Sequence, residues 1–133
     1  MKKLHSNSDG FTAIELLVFV VTLVLLVTLA GVNIRSLRAQ NRDSQRKTDI
    51  SATYYQLEAF YEKNSYYPET IDTTTLKGID PASLKDSEGK TFNQTTGEYT
   101  YKPVGCAEAK CKSYVLSATL EKEAPFTKES LNK

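Results

Sequence analysis

The chain is predicted to be α+β: a long N-terminal α-helix, apolar and then amphipathic, packed on a small antiparallel β-sheet head. Three observations predict this. Leu16 through Val32 carry no charge, and only Thr22, Thr28 and Gly31 dilute the apolar run. A stripe of Ile50, Tyr54, Leu57 and Tyr61 then recurs at helical spacing. Near the C-terminus, Glu98-Tyr99-Thr100-Tyr101-Lys102 alternates polar and aromatic residues, and Tyr114, Leu116, Ala118 and Leu120 share one face of a second run.

With 133 residues the chain has room for one small domain, and without its apolar segment the remainder is near the lower limit for a self-sufficient core. Charge is almost balanced, 17 Lys and Arg against 16 Asp and Glu, which favours neither a nucleic-acid binder nor an acidic tail. His5 is the only histidine and lies in the N-terminal leader.

Residues 11–34, Glu15 aside, are long enough to cross a bilayer as a helix at ~1.5 Å per residue. A lone carboxylate at the mouth of such a helix is costly and therefore marks a candidate functional site. The alternative for Glu15 is a side chain that only reaches back to the membrane surface. A secretory signal cut after Ala30, at Thr28-Leu29-Ala30, is a second reading of the segment, and an uncleaved anchor a third. Asp9 and Glu15 lie between the basic Lys2-Lys3 and the apolar run, which is unusual for a signal peptide. Ser8 or Asp9 is expected to cap the helix in the precursor.

From Arg35 to Asp49 the helical pattern becomes polar on nearly every face, so support from ion pairs or neighbouring chains is expected. Spacing sets Arg42 against Arg46 in repulsion and Asp43 with Lys47 in attraction. The basic residues suit either anionic lipid headgroups or a solvated face. The stripe Ile50–Tyr61, widened by Tyr55, Ala59 and Phe60, is then the spine of a head (residues 35–64). Asn64-Ser65 and Pro68 stop the helix.

Residues 69–97 are turn-rich and connect helix to sheet, with Asp80 capping a short turn over Pro81–Lys85. Phe92 is expected to open a third strand beside the antiparallel pair. Cys106 and Cys111 lie in the loop between the paired strands; in an exported chain this spacing reads as a disulfide worth ~2 kcal/mol. Metal binding is the rival reading, but no nearby histidine or third thiolate completes a site. Lys110 and Lys112 form only a weak basic patch for DNA or another surface.

Taken together, Lys2-Lys3, Gly10-Phe11, Thr12 and Glu15 before a long apolar run resemble the precursor of a type IV pilin. The resemblance is strong over residues 1–34 and looser to Asn64, where Tyr66-Tyr67-Pro68 is similar to the turn that ends the helix in many pilins and pseudopilins. It implies cleavage between Gly10 and Phe11 by a prepilin peptidase, N-methylation of Phe11, and assembly through Phe11 and Glu15, the first and fifth mature residues. Residues 1–10 are then a leader, 11–34 a membrane anchor and later a filament core, and 65–133 a small globular head. Many pilins have proline where Val32 stands here, and in this chain Gly31 is the one weak point of that stretch.

The partners implied are copies of the chain itself, minor pilins, the peptidase, and an inner-membrane assembly platform with a cytoplasmic ATPase. The expected location is the cytoplasmic membrane as a single-pass precursor, head outside, and then an extracellular pilus. Counting Lys and Arg alone favours the opposite orientation, because Arg35, Arg38, Arg42, Arg46 and Lys47 follow the span. No cofactor and no enzymatic activity are expected, since a mature chain from Phe11 has no histidine, no phosphate-cradling loop and no nucleophile elbow. The expected function is a structural pilus subunit serving adhesion, twitching motility or DNA uptake. The alternatives are a type II secretion pseudopilin and a membrane-tethered binding module that never polymerises.

Overall fold

The computed structural model describes residues 10–132 of the chain. Helix α1 spans Ala13–Asn64. Its expected leader caps, Ser8 and Asp9, lie outside the described residues, as do Lys2, Lys3 and His5. The helix ends as its sequence dictates. Ser65 takes a left-handed φ of 61° and its amide bonds the Tyr61 carbonyl at 2.7 Å, while the Asn64 side chain donates to the Phe60 carbonyl at 2.8 Å.

The chain divides between Leu37 and Arg38 into two compact units. In the N-terminal unit, the large apolar side chains from Phe11 to Leu29 are exposed, at half or more of their surface. Thr22 and Thr28 donate their hydroxyls to carbonyls of the preceding turn at 2.6 and 2.8 Å. Neither hydroxyl therefore asks anything of an apolar neighbour.

In the C-terminal unit, α1 packs on two small antiparallel sheets, and the fold is α+β. Strands β1 (Tyr67–Pro68) and β3 (Lys110–Cys111) pair in one; β2 (Tyr99–Val104), β4 (Ser113–Ala118) and β5 (Phe126–Glu129) form the other in the order β2-β4-β5. Tyr101 lies opposite Leu116 and Tyr99 opposite Ala118, so the alternating residues share one buried face. That face meets Ile50 and Leu57 of α1 in a single core. Of the stripe residues, Ile50 and Leu57 are fully buried and Tyr54 and Tyr61 pack at its rim, whereas Tyr55 is 67% exposed and does not widen it. The turn at Pro81–Leu84 forms with Asp80 as cap, its carboxylate accepting from the Ala82 amide at 2.9 Å.

The third strand is not at Phe92. Its place is taken by Phe126–Glu129, and the Phe92 ring packs on Tyr99 instead. Asn93 beside it caps the outer edge of β2, where its side chain bonds both the amide and the carbonyl of Tyr101 at 2.9 and 2.8 Å.

Four tyrosines fill the core, and each hydroxyl has a partner. Tyr99 donates to Asp49 at 2.8 Å, Tyr101 to the Pro68 carbonyl at 2.6 Å, and Tyr114 and Tyr67 to the two oxygens of Glu58 at 2.7 and 2.8 Å. The rings bury large apolar area while the hydroxyls avoid stranded polar atoms. Burial is the main reason the phenols of Tyr99, Tyr101 and Tyr114 lie well above their ordinary range.

Cys106 and Cys111 are bridged, in agreement with the disulfide reading. The ring encloses a tight turn in which Ala107 and Lys110 exchange backbone bonds at 2.9 and 3.0 Å. Its central residues, Glu108 and Ala109, have φ of 50° and 62°, the pattern of a type I′ turn that favours Asn-Gly. Alanine is strained there, at ~1–2 kcal/mol per left-handed residue. Ala109→Gly is therefore expected to stabilise the head by ~0.5–1 kcal/mol, after allowing for the extra freedom glycine has when unfolded. Urea unfolding of the oxidised protein in detergent measures this, and a lower midpoint would contradict it.

Candidate functional site

The candidate site sits at the start of α1. Thr12 entered the sequence reading only as part of the N-terminal motif, with no role of its own, and the structure gives it one. Its amide and its hydroxyl both donate to Glu15 Oε2, each at 2.9 Å, and the Glu15 amide donates back to Thr12 Oγ1 at 3.3 Å. This is a capping box, in which side chains three residues apart satisfy two of the amide groups left over at a helix start. The signal was present as Thr12-x-x-Glu15 directly before an apolar run.

The geometry has a consequence for Glu15. Its carboxylate turns back to Thr12 instead of along the helix. Both Thr12 bonds fall on Oε2, and Oε1 accepts no hydrogen bond among the described residues. Ile14, Val18 and Phe19 flank it and are exposed. One carboxylate oxygen is thus presented within an apolar surface.

Among the described residues, Gly10 and Phe11 are both exposed. Phe11 is 85% exposed, and a Cβ on Gly10 would meet open space. The chain's own fold therefore places no steric demand for glycine at position 10. Cys106 and Cys111 belong to the head and are not part of this site. Among the described residues no group of His, Cys, Asp and Glu is arranged to hold a metal ion.

A second polar cluster supplies the ion-pair support expected of a helix polar on nearly every face, through other pairings than spacing suggests. Asp43, Arg46 and Asp49 are buried against the head. Arg46, only 4% exposed, bonds Asp43 at 3.0 Å, Glu121 at 3.0 Å and Glu98. Arg42 makes two bonds to Glu121, at 2.6 and 2.7 Å, and Lys47 pairs with Glu123 at 2.6 Å. So Arg42 and Arg46 converge on a shared carboxylate, and Lys47 is paired with Glu123, not Asp43. Asp43 itself accepts the amides of Glu121 and Lys122, both at 2.9 Å, which anchors the segment after β4 to the helix.

These contacts set a pH dependence. The Arg42 guanidinium, with help from Arg46, holds the Glu121 carboxyl at about 2, below its ordinary 4.5. At Asp43, burial raises the value, but the two amides and Arg46 outweigh it and the net shift is downward. A carboxylate lowered by folding contributes stability above its unfolded value and loses it as pH falls through the folded one. The melting temperature of the head is therefore expected to fall as pH drops from 4.5 to about 2. Glu121→Gln should flatten that slope, as read by circular dichroism melts; an unchanged slope would contradict the assignment.

The class defined by these observations is a small α+β head on a helix whose N-terminal half is apolar and exposed, an architecture consistent with a pilin. Among the described residues this helix is long and apolar enough to cross a membrane, with a mean hydropathy of 2.8 in its most apolar window. No protein-family model, curated protein or solved structure matches the chain.

Proposed function

We propose that the chain is the structural subunit of a type IV pilus, cut between Gly10 and Phe11 and polymerised through its apolar helix. One observation carries the reading. Glu15, held by Thr12, presents a second carboxylate oxygen with no hydrogen bond among the described residues, within an exposed apolar surface. An exposed apolar surface of this extent needs a bilayer or other chains around it. Cleavage before Phe11 creates an ammonium at the positive end of a helix, where a cation is disfavoured. The Glu15 carboxylate of a neighbouring copy relieves that charge, and pairing relieves the carboxylate in turn. Because both groups are otherwise stranded, the pair selects one axial register between subunits.

The glycine at position 10 then serves the peptidase, since the fold makes no use of it. Gly10→Val is expected to leave essentially all of the protein as uncut precursor in the membrane, seen as a band heavier by the leader on immunoblots. Normal processing of this variant would remove the peptidase reading. The test of the function is electron microscopy of sheared surface material. Fibres labelled by an antibody to the head, and absent when the chain is deleted, are the expected result. A chain confined to the membrane fraction would favour the tethered module.

A further inference from the structure

The apolar run is followed by five cations, Arg35, Arg38, Arg42, Arg46 and Lys47, and the folded head treats them unequally. Arg42, Arg46 and Lys47 are bound to Glu121, to Asp43, Glu98 and Glu121, and to Glu123 respectively. Arg35 and Arg38 are each exposed, and among the described residues neither has a carboxylate partner.

We propose that Arg35 and Arg38 bind anionic phospholipid headgroups, and that the head carboxylates Glu98, Glu121 and Glu123 keep the other three cations from joining them. The inference rests on the reading that residues 11–34 lie in the bilayer before assembly. A guanidinium just past the end of a membrane-length apolar run is at headgroup depth. Its planar fork matches two phosphate oxygens, and its stem lies along apolar surface. The screening carboxylates come from the last third of the chain, so screening exists only once the head has folded. Without the folded head, Arg42, Arg46 and Lys47 lose Glu98, Glu121 and Glu123, and only Asp43 remains as a carboxylate partner on the helix; with it, Arg35 and Arg38 alone are without a carboxylate partner among the described residues. Folding thus loosens the subunit's electrostatic hold on the membrane, which favours its transfer into a fibre.

The test uses the full chain in mixed micelles of detergent, phosphatidylglycerol and phosphatidylcholine, with co-retained lipids counted by native mass spectrometry. Wild-type protein should retain phosphatidylglycerol preferentially. The preference should fall about fivefold for each of Arg35→Gln and Arg38→Gln. Glu123→Gln should raise it by freeing Lys47 at an exposed rim where the fold is not at stake. Excess inorganic phosphate should leave the preference in place. Equal retention of the two lipids, an unchanged preference in the double variant, or stripping by phosphate as at a generic anion site would overturn the proposal. A double variant that keeps its lipid preference yet loses fibres would overturn it too, by assigning the arginines to a subunit contact. Alkaline carbonate extraction of cell membranes separates the two readings. Release of the wild-type chain defeats the membrane reading and this inference with it, whereas an integral protein without lipid preference defeats the inference alone.

Discussion

Glu15→Val is expected to abolish fibres while leaving the protein processed and membrane-inserted. The substitution removes the only charge between Phe11 and Ile34, so insertion becomes easier, not harder. On the proposed reading, what is lost is the partner of the Phe11 amine. Removing one member of a buried pair costs ~3–5 kcal/mol, equivalent to roughly two to four orders of magnitude in each subunit contact. The capping box supplies a control. Glu15→Gln keeps an oxygen for the Thr12 amide and hydroxyl but carries no charge. If the carboxylate acts by charge pairing, Gln fails nearly as badly as Val. If Glu15 serves only as a cap, Gln restores fibres. Pelletable fibre mass relative to the membrane pool, read by quantitative immunoblot, distinguishes these outcomes, and normal fibres from Glu15→Val would remove Glu15 from assembly altogether.

Arg46→Ala is expected to be the most damaging single change in the head. Arg46 is buried, and its guanidinium joins Asp43, Glu98 and Glu121, which lie on the helix and on segments far along the chain. Without it, these acidic groups face one another at the rim of the core. Breaking a buried ion pair from one side costs ~3–5 kcal/mol, a melting-temperature drop of roughly 15–25 °C for a domain of this size. Arg46→Lys should fall between, because an ammonium keeps the charge but lacks the planar fork. A drop of only a few degrees in calorimetry of the full chain would mean that the cluster is screened like an ordinary surface pair.

Much of this arrangement was legible in the residues, and the failures have physical causes. The helix, its stop at Asn64-Ser65, the β2 and β4 alternation and the cysteine bridge rest on local pattern, and the structure agrees with them. The third strand was hidden because Phe126-Thr127-Lys128-Glu129 has little apolar content. It holds an edge position, where Lys128 lays its ammonium over the Tyr54 ring at 5.3 Å. The links from the helix to the head were illegible because Arg42, Arg46 and Lys47 reach carboxylates 52 to 79 positions away, whereas spacing arguments see only one helical turn. Asp43 had two partners within one helical turn, Arg46 and Lys47; it bonds Arg46 because Lys47 is drawn to Glu123, a residue that spacing along the helix cannot bring into view. Glu58 likewise shows no pairing by helix spacing, but it receives the hydroxyls of Tyr67 and Tyr114 from beyond the end of the helix. At the candidate site, Glu15 stood out because a carboxylate beside an apolar run is conspicuous. Thr12 did not, because threonine is unremarkable until its hydroxyl is seen on that carboxylate.

The central claim is that an apolar helix freed of its leader pairs each Glu15 with the new terminal amine of a neighbour. The most direct measurement is the intact mass and N-terminal fragmentation of the chain recovered from cell-surface fibres. The account predicts a first residue of N-methylated Phe11, with Glu15 unmodified. A chain still starting at Met1, or one starting at Gly31, would contradict it.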